Sequence, residues 1–498
     1  MIIERRATTL AATEAFAREL SLWARPGLAI YLSGDLGAGK SVFARAFIRA
    51  LALDDREFDI PSPSFSLVQA YDTVRVPVAH VDLYRIKSAV EVTELGLEEF
   101  LPKYLALIEW PENLNETISP DCLKISFTGS GETRDLKLEA TGEWIDILGR
   151  NETINGFVNN SPMTGGVRYF FEGDASARRY ERVASNAATQ LLMDMPSRPD
   201  GPVVKNGNPY SAIAHLAEGI GAVVAINDYL FNLGYSVPRI YAADIKFGLA
   251  LIEPLGDKVF SRMMARGDDM GEPLKAAVDV LADMAKRDWP DRVPVRGGTD
   301  HYIANYDLDA MMIEVDLLPS WYWPLQKKFA PGDGVKTEFS TIWQTLFTSI
   351  GPHKPVWTLR DYHSPNLLWL PERKGLRRVG IIDTQDCVMG HPAYDLVSML
   401  QDARVDIDFK RADELFDYYC GLRSATGPFD ASEFSRVFAI LGAQRATKIL
   451  GIFARLSKRD GKPIYLNHIP RVSRYLKRNL EHPDLAVLKS WYERNLPL

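Results

Sequence analysis

Three cysteines in 498 residues, Cys122, Cys387 and Cys420, are too few and too far apart for a disulfide framework. None has metal-ligand or redox spacing, so they read as buried, inert thiols of a reducing compartment. Long apolar runs are scarce as well. "GIGAVVAI" at 219–226 is too short to cross a bilayer and runs straight into Asn227 and Asp228. The N-terminus, "MIIERRATTLAATEAFAREL", carries charges where a signal peptide needs an apolar run. A cytoplasmic protein that avoids membranes is expected. Basic excess is missing too. A net charge of −7 provides no basic face of the size that direct, tight nucleic-acid binding needs.

What is present is a soluble globular composition, 46% hydrophobic and 25% charged. The length exceeds one ordinary core, so two or three domains are expected. "GRNETINGFVNNSPMTGG" at 149–166 is rich in Gly and Asn and reads as a flexible linker. The expected layout is a domain over 1–148, a linker over 149–166, a strand-rich lobe over 167–257 and a helical lobe over 258–498.

The first chemical motif is "GDLGAGKS" at 34–41, inside "GLAIYLSGDLGAGKSVFARAFIRAL". Leu28 to Leu32 form a short apolar run, and from Val42 onward apolar residues recur at helical spacing, so strand, loop and helix follow in turn. Gly34, Gly37 and Gly39 permit tight turns. The backbone N–H groups of Gly34, Asp35, Leu36, Gly37, Ala38, Gly39, Lys40 and Ser41 can then face phosphate oxygens of ATP. Lys40 would reach the terminal phosphates, the Ser41 hydroxyl would enter a Mg²⁺ shell, and the helix N-terminus adds positive potential. Two later apolar runs end in acids, "VPVAHVD" at Asp82 and "YLALIEW" at Glu109. Alone, each reads as a solvated strand-end acid. Beside a phosphate loop, such carboxylates hold Mg²⁺ directly or through water, or orient the attacking water.

Five ordered motifs, "GDLGAGKS", "SPSFSLVQAY", "HVDLYR", "LGLEEFL" and "IEWPE", make residues 1–148 resemble the TsaE family. These are small P-loop ATPases of bacterial tRNA threonylcarbamoyladenosine synthesis. The resemblance implies an α/β P-loop fold, nucleotide and Mg²⁺ at Lys40 and Ser41, and a nucleotide-sensing loop over 62–68. It also implies that Asp82 and Glu109 serve metal and hydrolysis, and that the partner is a TsaD/TsaB-like threonylcarbamoyl-transferase complex rather than tRNA itself.

The second motif is "LRDYHSPNLLWL" at 359–370. Asp361 and Asn366 stand five apart, and "VGIID" places Asp383 at the end of an apolar run seventeen positions beyond Asn366. A phosphotransferase needs one carboxylate to orient or deprotonate the substrate hydroxyl, and an Asn with a second Asp to hold Mg²⁺ against the phosphates. The run "LLWL", a turn at "PERKG" and the second strand suggest a hairpin. Upstream, "RYFFEGDASARRYERV" suggests two strands joined by a turn with Gly173, Ala175 and Ser176, where a nucleotide-covering loop belongs; an ordinary hairpin fits as well.

Residues 166–498 resemble the aminoglycoside-phosphotransferase-like kinases, which have an α+β two-lobed, protein-kinase-like fold. "DASARRYERV", "PYSAIAHLAE", "RDYHSPNLLWLPER", "IIDTQDCVMGHPAYDLVSMLQDARVD" and "RATKILGIFARLSKRDGKPIYL" narrow this to the anomeric N-acetylmuramate/N-acetylglucosamine kinases of cell-wall recycling. The resemblance implies an amino-sugar substrate, Asp361 as base, Asn366 and Asp383 as Mg²⁺ ligands, and Asp395 as a brace of the helical lobe. Two departures stand out. Leu359 replaces the usual His, and Met193 stands where kinases place a phosphate-pairing Lys, with Lys205 as a possible substitute. A pseudokinase, or a kinase for an aminoglycoside or another small alcohol, remains the alternative.

Overall fold

A computed structural model describes the chain except residues 53–58, 87–88, 101, 115–117, 130–132, 173–177, 187 and 198–200. It divides into two compact units, Met1–Met193 and Asp194–Leu498.

The first unit is built on a seven-stranded sheet with the order β1-β7-β6-β2-β5-β4-β3. The strands are β1 (Ile2–Ala7), β2 (Ala29–Ser33), β3 (Val68–Tyr71), β4 (Val78–Asp82), β5 (Leu105–Glu109), β6 (Cys122–Thr128) and β7 (Arg134–Ala140). The centre, β4-β5-β2-β6, is parallel, and the remaining pairs are antiparallel. Strands β2, β4 and β5 are buried along their whole length, as continuous apolar runs demand in a parallel sheet covered on both faces. Helices α1 (Leu10–Ser21) and α2 (Lys40–Arg49) pack on one face, where Phe16, Phe43, Phe47 and Phe127 form an aromatic core.

The flexible linker expected at 149–166 is not there. A 17-residue helix, α3 (Glu143–Asn159), runs through most of that stretch. Its apolar stripe begins before residue 149, with Trp144, Ile147 and Leu148, and continues to Ile154 and Val158. A window opened at 149 cuts that period in half. The asparagines serve as glue. Asn151 Oδ1 accepts from Trp23 Nε1 at 3.0 Å, and Asn151 and Asn155 both donate to Glu19.

Strands β8 (Val167–Phe170) and β9 (Arg179–Ala184) form the expected hairpin, and it belongs to the first unit. Arg168 pairs bidentately with Glu181 at 2.6 and 2.9 Å and donates to Asn151 and Asn155 at 2.9 and 2.7 Å. Arg179 lies over the Trp23 ring at 3.4 Å, and Arg75 lies over Phe170 at 4.1 Å. These contacts explain why the division falls after Met193 rather than within 149–166.

The second unit is mainly helical. Its core holds a stack of Trp289 on Trp357, with centroids 4.9 Å apart, and Tyr229 against both rings. Four short strands frame the functional loops: β10 (Val356–Thr358), β11 (Leu367–Trp369), β12 (Val379–Ile381) and β13 (Val388–Gly390). They pair as β10–β13 and β11–β12, both antiparallel. Behind them lie α4 (Leu308–Val315), α5 (Ala393–Leu400) and α6 (Ala431–Arg459). Among the described residues, α6 alone is long and apolar enough to cross a membrane, but 78% of its apolar window is buried within the fold. It is the central core helix.

Candidate active sites

In the first unit the phosphate loop joins β2 to α2. Gly34, Gly37 and Gly39 all have positive φ, and a Cβ on Gly34 would lie 2.6 Å from the Phe127 carbonyl oxygen. Only glycine fits there. Lys40 is buried, donates to the Gly34 and Asp35 carbonyls at 2.6 and 2.9 Å, and lies 3.6 Å from the centroid of the Trp110 ring. Burial lowers its pKa, with Glu109, Glu112, Asp82 and Asp35 pulling the other way.

The parallel register sets Asp82 opposite Glu109, and Glu109 opposite Leu32 at the end of β2. Glu109 therefore reaches the phosphate loop, with Asp82 beside it on the neighbouring strand. Glu109 accepts from Ser41 Oγ at 2.8 Å, and its other oxygen lies 2.9 Å from His80 Nε2. Asp82 accepts from Ser62 and Ser64, both at 2.9 Å, so the 62–68 stretch is tied to this acid through hydroxyls. His80, Trp110 and Arg134 were not singled out by the sequence reading. His80 precedes Asp82 by two and shares its strand face, a signal present in "HVDLYR". Trp110 has φ 60, a conformation bulky residues avoid, and that places its ring over Lys40. Arg134 reaches the Gly37 and Ala38 carbonyls from β7.

In the second unit, Asp361 sits on a loop held from behind. Asp395, on α5, accepts from the backbone N–H groups of Leu359 and Arg360 at 2.7 and 2.9 Å. Ser398 donates to the Arg360 carbonyl at 3.1 Å. Arg360 has φ 67, and its side chain bonds the Ala214 carbonyl and the buried Glu314 of α4. Lys448 of α6 donates to Glu314 at 2.7 Å. Burial works against a charge on Glu314, but Lys448 and Arg360 outweigh it and hold its pKa below the ordinary value. Leu359, standing where a His is usual, is buried, and its amide is one of the two that Asp395 fixes.

The Asp361 carboxylate is 43% exposed. Partial burial opposes its charge, yet His363 at 3.6 Å, Arg445 at 4.0 Å and Lys448 hold it well below the usual carboxylate range. Asn366 donates to the Asp361 carbonyl at 3.1 Å and approaches Asp383 Oδ2 at 3.5 Å. The β11–β12 hairpin, with Leu367 opposite Ile381, brings Asn366 and Asp383 together at one end. Asp383 has φ 64, another strained position beside a functional group.

Among the described residues no cluster of three or more His, Cys, Asp or Glu side chains is arranged for a metal. Mg²⁺ beside a polyphosphate takes most of its ligands from phosphate and water, so two protein groups suffice. Ser41 with Glu109, and Asn366 with Asp383, are chemically suited. Ser176 lies outside the described residues. Met193 is buried, and Lys205 lies 3.8 Å from Asp309 in a surface pair.

Comparison with known proteins follows the same division. Residues 7–136 match the family described as "Threonylcarbamoyl adenosine biosynthesis protein TsaE", and residues 169–429 match "Phosphotransferase enzyme family". A TsaE protein of Rickettsia felis is 37% identical over 124 residues, 25% of this chain and 71% of that protein. An "N-acetylmuramate/N-acetylglucosamine kinase" of Caulobacter vibrioides is 36% identical over 335 residues, 66% of this chain and 91% of that protein. The chain belongs to both families. Another such kinase, from Pseudomonas putida, is 28% identical over 361 residues, 71% of this chain and 95% of that protein. The TsaE segment therefore carries Lys40, Asp82 and Glu109. The phosphotransferase segment carries Asp361, Asn366 and Asp383, and Arg445 lies beyond its end.

Proposed function

We propose a bifunctional, ATP-using cytoplasmic enzyme. The phosphotransferase segment phosphorylates the anomeric hydroxyl of N-acetylmuramate and N-acetylglucosamine. The TsaE segment hydrolyses ATP in support of tRNA threonylcarbamoyladenosine synthesis, acting on a TsaD/TsaB-like transferase complex. One observation carries the kinase reading: a braced loop presents an ionised Asp361 next to the Asn366–Asp383 pair.

In the kinase, the Asp361 carboxylate accepts a hydrogen bond from the anomeric hydroxyl and aims its oxygen at the γ-phosphorus. The new oxygen–phosphorus bond forms as the bond to the ADP oxygen breaks, and the hydroxyl proton leaves by way of Asp361. A strongly acidic Asp361 suits a loose transition state, in which the proton departs late and orientation matters more than base strength. Asn366 and Asp383 would hold Mg²⁺, which neutralises charge on the phosphates when bound. Asp395 keeps the Leu359–Arg360 backbone from moving during this step.

In the ATPase, Lys40 pairs with the terminal phosphates once it exchanges its two carbonyl partners for them. Ser41 and Glu109 would hold Mg²⁺, His80 fixes Glu109, and Asp82 links the serine loop to the site. Incubating the full chain with Mg-ATP and each amino sugar, and reading sugar phosphates by mass spectrometry, tests the kinase. Failure to phosphorylate either sugar overturns that half. ATP turnover with and without purified transferase partners tests the other.

A further inference from the structure

Arg360, Arg445 and Lys448 cluster behind the Asp361 loop, and they are not equivalent. Arg360 and Lys448 both spend their charge on Glu314. Arg445, one helical turn before Lys448 on α6, is 6% exposed. Among the described residues its Nε and Nη1 have no hydrogen-bond partner, and its Nη2 comes no nearer than 4.0 Å to Asp361 Oδ1. A buried guanidinium without a hydrogen-bonded counter-ion is costly, and folds keep such a group where a ligand supplies the missing partner.

The position of Arg445 narrows that ligand. The metal-side pair, Asn366 and Asp383, comes from the open end of the β11–β12 hairpin, whereas Arg445 comes from α6 and faces the carboxylate that orients the acceptor. Arg445 is thus a buried positive charge 4.0 Å from the carboxylate that would orient the reacting hydroxyl. N-acetylmuramate differs from N-acetylglucosamine by a lactyl ether that ends in a carboxylate. A planar guanidinium is the side chain best matched to a carboxylate.

Building on the kinase reading, we infer that Arg445 is a specificity-determining residue that pairs with the acceptor's carboxylate and favours the acid-bearing sugar over the neutral one. The two sugars then share Asp361 and the metal-side pair, and differ in whether they engage Arg445. If Arg445 served the transferring phosphoryl group instead, it would act on both sugars alike.

The experiment uses the full chain, with kcat and KM measured for N-acetylmuramate, its methyl ester and N-acetylglucosamine at saturating Mg-ATP. For the unaltered protein, esterification should lower kcat/KM about 100-fold, mainly through KM, as expected for loss of one partner of a desolvated charge pair. Arg445→Met should lower kcat/KM for N-acetylmuramate by a similar factor. For the ester and N-acetylglucosamine, any fall from the lost charge beside Asp361 should be equal for the two and at least about tenfold smaller than for N-acetylmuramate, so the two changes are not additive. Arg445→Lys, which keeps the charge but not the fork, should fall between. An equal fall in kcat for both sugars overturns the inference and assigns Arg445 to Asp361 or the phosphoryl group. An ester phosphorylated as well as the acid by the unaltered protein overturns it without any variant having to fold. If neither sugar is phosphorylated, the kinase reading itself falls, and this inference falls with it.

Discussion

Lys40 and Arg445 are buried cations beside the two reaction centres, and the fold treats them in opposite ways. Lys40 donates to two carbonyls of its own loop and lies on Trp110. Around it, Glu109 is shared by Ser41 and His80, and Asp82 by Ser62 and Ser64. In the P-loop, the charged groups are satisfied from within. In the kinase loop it is the backbone that is satisfied, through Asp395 and Ser398, while Asp361 stays partly exposed and Arg445 lacks a hydrogen bond. Nucleotide binding at the P-loop is therefore an exchange of partners, with a net gain smaller than its contacts suggest. The kinase loop is preorganised and meets its substrate with little rearrangement.

The largest effect that can break this comparison is at Asp361. Asp361→Asn should keep the braced loop but lose the carboxylate, lowering sugar-phosphate formation about 100- to 10,000-fold. Mg-ATP affinity, measured by titration calorimetry, should stay nearly unchanged, because Asn366 and Asp383 remain. A matching loss of nucleotide affinity would mean that Asp361 belongs to the metal site.

Lys40→Ala should come next. Removing the charged side-chain donor to the terminal phosphates should cut ATP hydrolysis about 100- to 1,000-fold. Sugar phosphorylation in the same protein should remain within about threefold. Should both activities fall together in folded protein, the two centres are not separate.

A smaller effect tests the buried pair in the first unit. Arg168→Met leaves Glu181 buried with Arg179 as its remaining partner, and should cost about 3 kcal/mol in a denaturant titration. Arg168→Met with Glu181→Leu should recover much of that loss. No recovery would place the stabilisation in the asparagines rather than in the ion pair.

The smallest effect is in pH dependence, where two groups beside the kinase loop oppose each other. Burial, against two backbone hydrogen bonds, pushes Asp395 up from 3.8 to about 7. The native state then keeps a proton that the unfolded chain releases, so this contribution is full below about pH 4 and is lost as pH rises toward 7. Burial, with His353, Arg423 and Arg436 nearby, lowers His391 from 6.5 to about 3. Its contribution is full above 6.5 and is lost as pH falls toward 3. Each slope is at most about 1.4 kcal/mol per pH unit, and they cancel in the overlap. Asp395→Asn should unmask a stability that rises with pH between about 4 and 6.5, and His391→Gln one that falls. Identical slopes in both variants and the unaltered protein would show that neither group titrates there.

Much of both sites could be read from the chain because the groups lie at strand ends and loop positions with fixed local geometry. The P-loop, Asp82 and Glu109 follow apolar runs that had to be parallel strands, and the hairpin that unites Asn366 with Asp383 follows from two short runs and a turn. What stayed hidden depends on distant partners. Arg445 looks like any basic residue of a long amphipathic helix until α6 is packed behind Asp361, and Glu314 gains meaning only from Arg360 and Lys448. Trp110 was overlooked because nothing local announces a left-handed tryptophan. The Gly- and Asn-rich stretch was misread because composition outweighed a helical period that began six residues earlier.

That helix has a consequence for the history of the chain. A fusion of two enzymes can begin as a tether and be undone by a single deletion. Here Asn151 and Asn155 of α3 bond to Arg168 in the kinase's opening hairpin, and Trp23 lies under Arg179. Deleting the ATPase would strip α3 of Glu19 and Trp23, its partners at Asn151 and Asn155, and would remove the ring under Arg179. Cutting the two activities apart therefore disturbs the scaffold at the start of the second as well as removing the first.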